Sequence, residues 1–306
     1  MSAASPEPFH ALRGMVMMMM AVAIFALMDT MSKYLTQFYA VTTIVWARYA
    51  FHTLLVVALL GPRLGLALVR TARPGAQLVR GLLLVGASLF FVGGVKHMPL
   101  AECSAISFLA PLLVTLMAAF VLKERVGMAR WIAVGTGFLG VLVIIRPGTG
   151  VFAWASLLPL GTAVCFACYQ ILTRRLAGLE SPLTSIFYSG LIGALLLSVL
   201  LPFTWSPPQS ATHFALFAAI GIAGGLSHLM LIKAYDFAPA SRLAPISYTQ
   251  LIWAVGAGYV VFDAFPDFWS VAGIGVVMAS GVYTATHQHL SERVQRAELA
   301  DGPPGV

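Results

Sequence analysis

The chain has 306 residues, of which 59% are hydrophobic and only 9% are charged, and its mean hydropathy is +0.90. A soluble domain has roughly 25% charged residues, so this composition excludes an ordinary water-soluble protein and indicates an integral membrane protein. The formal charge of +7 does not indicate nucleic-acid binding, because the basic residues are scattered over short segments and form no continuous face.

Ten apolar segments of about 20 residues follow one another along the chain, each long enough to cross a hydrocarbon core of about 30 Å as an α-helix. They cover residues 14–34, 41–61, 77–96, 100–121, 128–146, 152–173, 182–202, 211–233, 239–262 and 268–287. The predicted fold class is therefore an all-α integral membrane protein with ten transmembrane helices, followed by a tail over residues 288–306. No intervening segment is long enough to hold a soluble catalytic domain.

Lys and Arg are distributed unevenly among the connecting segments. If the N-terminus lies inside, 14 of the 18 basic residues fall on the inner side, three (Lys33, Lys96 and Arg146) fall on the outer side, and Arg48 lies within a span. Because cytoplasmic loops retain basic residues, both termini are predicted to be cytoplasmic. Arg outnumbers Lys 14 to 4, which favours a GC-rich bacterial genome and hence a bacterial inner membrane.

The two halves of the chain show a weak internal repeat. A shift of 140 residues aligns KHMPLAECSAISFLAP, which begins at Lys96, with DFAPASRLAPISYTQL, which begins at Asp236. Five helices per half is an odd number, so the second half must enter the membrane from the opposite side. The sequence therefore predicts two inverted five-helix repeats, over residues 14–146 and 152–287, an arrangement that is characteristic of secondary transporters.

Several motifs, taken together, resemble the drug/metabolite transporter superfamily of the EamA type. They are VWARY in the second helix, AECSAISFLAPLLV at the start of the fourth, LKERV after the fourth and RPG at the end of the fifth. The resemblance covers about residues 14–287 and implies a secondary carrier of small polar metabolites. Members of the superfamily move amino acids, nucleosides or S-adenosylmethionine, riboflavin, or opine-type metallophores.

Two ionisable side chains, Asp29 and Arg48, are predicted at a similar depth in the outer half of the membrane. A charge within a span costs about 2.5–3.5 kcal/mol on insertion scales, so the two are expected to pair. The pair is either a permanent salt bridge between two helices or one that a substrate carboxylate or a proton breaks, and both interpretations stay open. For His52, one turn from Arg48, a helix-bridging hydrogen bond is favoured over a proton relay.

Polar and aromatic side chains of other central helices complete the predicted pathway. Ser107 shares a face of the fourth helix with Ser104 and Pro111, and the further candidates are Tyr169, Gln170, Tyr188, His228, Tyr248 and Gln250. His228 is expected near the inner mouth. The alternative role for each of these side chains is an interhelical hydrogen bond.

Two motifs in the sequence are better explained by helix packing than by chemistry. GTGFLG, residues 135–140, has the letters of a dinucleotide fingerprint, but it lies within a predicted span and no strand precedes it. The CxxC of Cys165 and Cys168 lies inside the sixth helix and suits packing better than metal or redox chemistry. We therefore expect no cofactor and no metal, and the absence of a P-loop argues against ATP as the energy source.

The leading functional hypothesis is a secondary carrier, with export favoured, for an amino-acid-like, opine- or metallophore-like, or other carboxylate-bearing compound. Arg48 would recognise the anionic group, and Asp29 would hold Arg48 when the site is empty. The alternative is an uptake carrier for a vitamin or nucleoside-type metabolite such as riboflavin or S-adenosylmethionine; an intramembrane enzyme is a distant alternative without a recognisable catalytic motif. The expected partners are the substrate, the lipid bilayer and protons as the candidate coupling ion, but neither nucleic acid nor ATP.

Overall fold

The computed structural model describes the backbone of residues 8–121, 127–147, 154–176, 179–238 and 240–300. Within these ranges the chain forms twelve α-helices and two short 3-10 turns, so the all-α prediction is confirmed. The helices are α1 (Pro8–Leu35), α2 (Val41–Leu64), α3 (Pro74–His97), α4 (Leu100–Ser107), α5 (Ala110–Val121), α6 (Met128–Ile145), α7 (Leu157–Leu176), α8 (Pro182–Thr204), α9 (Ala211–Phe237), α10 (Ala240–Ser247), α11 (Thr249–Phe262) and α12 (Phe268–Ala300).

Seven helical stretches in the described part of the chain are long and apolar enough to cross a membrane. They lie at Leu12–Leu35, Val41–Leu68, Pro74–His97, Leu100–Met117, Trp154–Leu176, Pro182–Thr204 and Ala211–Phe237. Helices α6 and α12 contain shorter apolar stretches, Trp131–Ile145 and Phe268–Thr284. The molecule is thus a multi-span helical membrane protein, and the count of ten crossings stays a prediction.

Two spans that the sequence predicts as continuous helices are interrupted. The first breaks between Ser107 of α4 and Ala110 of α5, and the second at Tyr248 between α10 and α11. Pro111 has no N–H to donate to the carbonyl of Ser107, which accounts for the first break. At the second, the N–H of Tyr248 donates to the carbonyl of Pro245 at 3.3 Å, the tighter spacing of a 3-10 turn.

Helix α2 is held between α8 and α9 by a set of close glycine contacts, which we call the glycine seam (Gly190, Gly193, Gly221 and Gly225). A Cβ added at Gly193 would overlap the ring of Tyr49, and one added at Gly221 would overlap Phe51. Close backbone approach through small residues is a common way for membrane helices to associate. The polar side chains of α2 are therefore fixed relative to both neighbouring helices.

Helix α6 packs along α12 through the GTGFLG segment. A Cβ at Gly137 would collide with Ser280, and one at Gly140 with Val276. The Ser280 hydroxyl also donates to the carbonyl of Ala133. The interpretation of this motif as a helix-packing surface is confirmed.

The last helix continues beyond the predicted end of the last span. The last span was expected to end at residue 287, but α12 continues to Ala300. The segment SERVQRAEL is rich in Glu, Arg, Gln and Ala, which favour helix even outside a membrane. Residues 301–306 of the predicted tail and the LKERV motif, residues 122–126, lie outside the described residues.

The two ends of the bundle are distinguished by their loops. Helix α1 begins at what we call the N-terminal face, where the loop of residues 65–73 contacts Glu180. It ends at the opposite face, where Arg146 pairs with Asp267 at 2.7 Å. The backbone N–H of Ser270, followed by the hydrogen bond from Arg146, lowers the pKa of Asp267.

Candidate functional site

A central cavity of about 190 Å³ lies between α1, α2, α3, α4, α5, α7, α9 and α11. Its wall is mostly apolar, with phenylalanine rings from α1, α3, α7 and the break after α4. It also carries a small set of polar side chains: Asp29, Arg48, Ser88, Ser104, Ser107, Thr162, His228 and Gln250. An apolar concavity with a few convergent polar groups is the usual form of a small-molecule site. The arrangement can therefore hold an organic molecule and orient its polar ends.

Asp29 and Arg48 both face this cavity, but the predicted contact between them is absent. Within the described residues no ion pair of 4 Å or less joins them. Asp29, which is 7% exposed, instead lies 3.4 Å from Nε2 of Gln250, which donates to it. Arg48 runs along Gly224 of α9, where a Cβ would lie 3.9 Å from its Nε. Similar depth therefore did not bring the two groups into direct contact in this structure, and the role of Asp29 in holding Arg48 stays a prediction.

A second, water-sized cavity of about 10 Å³ lies beside Arg48 toward the N-terminal face. His52, Tyr169 and His228 contribute to its wall. The rings of His52 and His228 are 5.8 Å apart in an edge-to-face arrangement, and Nδ1 of His228 lies 2.8 Å from the carbonyl of Gly224. Nε2 of His52 is buried and has no hydrogen-bond partner among the described residues. The narrow space thus contains imidazole groups beside a guanidinium.

Tyr169 connects this small cavity to Arg80, a residue that the sequence analysis counted among the inner loop charges. Arg80 lies inside α3 and is only 2% exposed. Its Nη2 donates to the Tyr169 hydroxyl at 3.0 Å, and its guanidinium carbon lies 4.9 Å from the centre of the Tyr169 ring. Helical spacing could have revealed it, because Arg80 precedes Leu84 by four residues and Leu84 lines both cavities.

Three predicted pathway residues line neither cavity. Gln170 is half-buried, the Tyr188 hydroxyl donates to the carbonyl of Val69 at 2.8 Å, and the Tyr248 ring packs beside Phe108, with centroids 5.3 Å apart. Neighbouring residues of a helix point about 100° apart, so being next to a lining residue does not bring a side chain to the cavity. These three side chains lie outside both cavities, and their place in the pathway stays a prediction.

Two cavity hydroxyls were missed by the sequence analysis. Ser88 of α3 lines the cavity and lies 2.7 Å from the Tyr49 hydroxyl. Thr162 of α7 also lines it and is hydrogen-bonded to the carbonyl of Ala87 at 3.3 Å. A single hydroxyl within a long apolar segment gives no periodic signal that separates it from an ordinary packing residue.

Glu180 ties two loops together at the N-terminal face. Its Oε1 accepts hydrogen bonds from Oγ1 of Thr71 at 2.9 Å and from the backbone N–H groups of Ala72 and Arg73 at 2.8 and 2.9 Å. Burial raises the pKa of Glu180, but these hydrogen bonds outweigh that effect and lower it below its ordinary value. The lowered pKa favours the ionised carboxylate, which joins the loop of residues 71–73 to the start of α8 at this face.

The sequence is similar to those of known transporters. The profile of the EamA-like transporter family matches residues 12–146 and again residues 153–286. The chain belongs to the EamA-like transporter family. The membership expected from the motifs is confirmed, and with it the conclusion that the protein is a multi-pass membrane transporter and not an enzyme.

Related transporters carry different molecules. The chain is 27% identical to an S-adenosylmethionine uptake transporter of Rickettsia prowazekii (89% of this chain, 92% of the relative). It is 29% identical to a riboflavin transporter of Vibrio cholerae (94% and 97%) and 27% identical to the pseudopaline exporter CntI of Pseudomonas aeruginosa (85% and 91%). A solved crystal structure with 19% identity matches 94% of the chain with a TM-score of 0.63, which supports the same fold. Transport of small molecules across a membrane is common to the named relatives.

Proposed function

We propose that this transporter carries a small metabolite with a carboxylate or similar anionic group, and that Arg48 binds this group in the central cavity. This proposal rests on the position of Arg48. Its side chain is half-buried, lines the cavity and makes no ion pair of 4 Å or less within the described residues. A guanidinium can form a bidentate pair with a carboxylate, and the substrate supplies that partner.

Asp29 is the proposed counterpart of Arg48 in the cycle. It faces the same cavity, and its hydrogen bond from Gln250, at 3.4 Å, is a long contact. A carboxyl group in such a position can take up and release a proton while a substrate enters and leaves. We propose protons as the coupling ion and Asp29 as the group that binds them.

We also propose that residues 14–146 and 152–287 are two inverted repeats in a bacterial inner membrane, with both termini in the cytoplasm. Three observations support the repeats: the family profile matches twice, the two helix breaks follow Ser107 and Ser247, and α1 packs on α9 as α3 packs on α7. The excess of Lys and Arg on one side supports the orientation. The N-terminal face would then be the cytoplasmic face.

S-adenosylmethionine is the first molecule to test, because it bears an amino-acid carboxylate and is named for a relative. Riboflavin, which has no carboxylate, is the second candidate because another relative is named for it. Purified protein in liposomes should exchange labelled substrate for internal unlabelled substrate, a counterflow that a channel does not show. Transport of riboflavin alone would contradict the carboxylate proposal.

Arg48→Gln tests the role of Arg48 in the same liposomes. We expect a loss of at least about a hundredfold in kcat/KM, since an ion pair in a desolvated site contributes about 3 kcal/mol or more. Arg63→Gln is the matched control, because Arg63 is an exposed arginine at the other end of the same helix. A monodisperse Arg48→Gln protein with normal counterflow would contradict the proposal, and unfolding of this variant would favour a structural role.

The direction of net transport needs a cell-based measurement. Export remains our prediction, and the named relatives include both uptake and export proteins. Metabolites in the cells and in the medium are compared between a deletion strain and an overexpressing strain. A compound that accumulates inside the deletion strain and outside the overexpressing strain establishes export; a nutrient left unused in the medium by the deletion strain establishes uptake.

A further inference from the structure

We propose that Arg80 is a second anion-binding position, between the central cavity and the N-terminal face, which receives the anionic group of the transported molecule after it leaves Arg48. This inference rests on the proposed function of Arg48. The path then has two guanidinium groups, those of Arg48 and Arg80. In the state observed, the side chain of Tyr169 lies between them.

The surroundings of Arg80 are unusual for a buried cation. It is 2% exposed, and its Nη1 and Nη2 donate at 3.0 Å to two neutral acceptors, Oε1 of Gln77 and the Tyr169 hydroxyl. Its Nε has no hydrogen-bond partner, and no carboxylate lies within 4 Å of it in the parts of the chain that the structure describes. A buried charge without a counter-ion is costly in a membrane bundle. An anionic group bound at this position during transport would supply the missing partner.

Arg80 lies on the same helical face as the cavity wall. Leu84, Ala87, Ser88 and Phe91 of α3 line the central cavity, and Arg80 precedes Leu84 by one helical turn. The lining stripe of α3 thus continues past the end of the cavity toward the N-terminal face. A molecule that moves along this stripe would meet the Arg80 guanidinium next.

Helix α7 shows the same continuation. Thr162 and Phe166 line the central cavity, and Tyr169, at the next position of the stripe, lines the water-sized cavity beside Arg48. The ring of Tyr169 is stacked against Phe166 with an interplanar angle of 15°. Tyr169 therefore fills the place where the path would continue. Its hydroxyl and its ring both contact the Arg80 guanidinium.

Polar groups continue beyond Arg80 to the surface. Gln77 Nε2 donates to the hydroxyl of Ser185 at 3.2 Å and lies 3.4 Å from Oε2 of Glu180. Glu180 is held by the loop of residues 71–73 and reaches Arg80 only through Gln77. The carboxylate therefore closes the end of the path without neutralising Arg80.

Cysteine labelling tests the inference without knowledge of the natural substrate. Ser185→Cys is introduced into a chain in which Cys103, Cys165 and Cys168 are replaced by Ala. The new thiol lies beside Gln77, and Gln77 lies between it and Arg80 along the path. Vesicles that expose the N-terminal face are treated with the anionic reagent 2-sulfonatoethyl methanethiosulfonate or the cationic reagent 2-trimethylammonioethyl methanethiosulfonate. The measured quantity is the ratio of the anionic to the cationic labelling rate.

With Arg80 in place, we expect the ratio of anionic to cationic labelling rates at position 185 to exceed the ratio for free cysteine. The ratio should fall about tenfold or more when Arg80→Gln removes the charge. Arg80→Lys, which keeps the charge, should retain most of the ratio, and Arg63→Gln should leave it unchanged. Arg80→Met serves as the second variant if Arg80→Gln does not give monodisperse protein. Tyr169→Phe should speed labelling by both reagents, because it removes one hydrogen bond that closes the path.

An unchanged ratio in Arg80→Gln, or an introduced thiol at position 185 that neither reagent reaches, would overturn the inference. Counterflow of S-adenosylmethionine by the cysteine-substituted parent is measured in parallel. Normal counterflow with an unchanged ratio means that only the Arg80 inference fails. Charge-dependent labelling without counterflow of any tested substrate means that the proposed function fails while Arg80 still attracts anions.

Discussion

The two interrupted spans share a backbone plan but differ in what they present to the cavity. Ser104 and Ser107 of α4 line it, together with Phe108 at the break. Among the described side chains of α10 and α11, Gln250 alone lines it. Tyr248, which corresponds to Phe108 after a shift of 140 residues, is turned away from the cavity and is 3% exposed.

Gly281 of α12 is one sequence difference that matches this difference in side-chain position. A Cβ at Gly281 of α12 would overlap the ring of Tyr248, so the ring occupies space that only glycine leaves free. The corresponding position in the first half is Val141, which is 1% exposed and carries a branched side chain in place of the glycine. Phe108 therefore has no equivalent seat on α6 and faces the cavity. The comparison teaches that a repeated backbone does not repeat its binding surface.

Gly281→Val should break this asymmetry and have the largest effect. The valine side chain would overlap the Tyr248 ring, and overpacking of this kind costs about 1–3 kcal/mol. We expect less monodisperse protein on size exclusion and a fall in Tm of about 5 °C. Gly275→Val lies in the same helix, where an added Cβ meets nothing within 4 Å, and it should retain the parent Tm. Equal Tm values for the two variants would show that Tyr248 does not need this seat.

Gln250→Leu removes the one polar side chain that α11 contributes to the cavity. A hydrogen bond to a charged group contributes about 1.5–3 kcal/mol, so kcat/KM in the counterflow assay should fall about tenfold or more. Gln170→Leu is the matched control, because Gln170 lines neither cavity. If the control lost as much activity as Gln250→Leu, the cavity would not be the transport site.

Ser104→Ala and Ser107→Ala separate the two hydroxyls of α4. The Ser107 hydroxyl already donates to the carbonyl of Cys103 at 2.8 Å, whereas Oγ of Ser104 is buried without a hydrogen-bond partner in the described part of the chain. We therefore expect a loss of about threefold or less in kcat/KM for Ser107→Ala and a larger loss for Ser104→Ala. The reverse order would show that the substrate contacts the Ser107 side of the helix.

Tyr248→Phe should have the smallest effect. The structure shows no hydrogen bond of the Tyr248 hydroxyl to any described residue, and the ring itself provides the packing. Counterflow and Tm should both stay within experimental error of the parent. A clear loss of transport with normal Tm would instead return Tyr248 to the pathway, as the sequence had suggested.

Much of the fold was predictable because composition and segment length are properties of the chain itself. The apolar segments indicated helices in a membrane, and the short motifs indicated the family. The breaks at Phe108 and Tyr248 were not predicted, although Pro111 had been noted, because a proline can either bend or interrupt a helix.

The site was only partly predictable. Asp29, Arg48, Ser107 and Gln250 face the cavity as expected, whereas the pairing of the first two depended on helix rotation that depth alone does not provide. Arg80 was missed because a basic residue near a span end was taken as a topology signal. Its position on the lining stripe of α3 carried the information that was needed.

We expect the glycine seam to make α2, α8 and α9 move as one unit. Side chains of α2 lie directly against these glycines, and at Gly221 the α2 backbone does so as well, so sliding one helix past another would create overlaps. In the proposed transport cycle Arg48 would then keep its distance from α8 and α9 while other helices open and close the ends of the path. A binding residue whose surroundings do not change contributes the same binding free energy in the two states of the transport cycle. It cannot favour one direction of transport, and net flux then follows the gradients across the membrane.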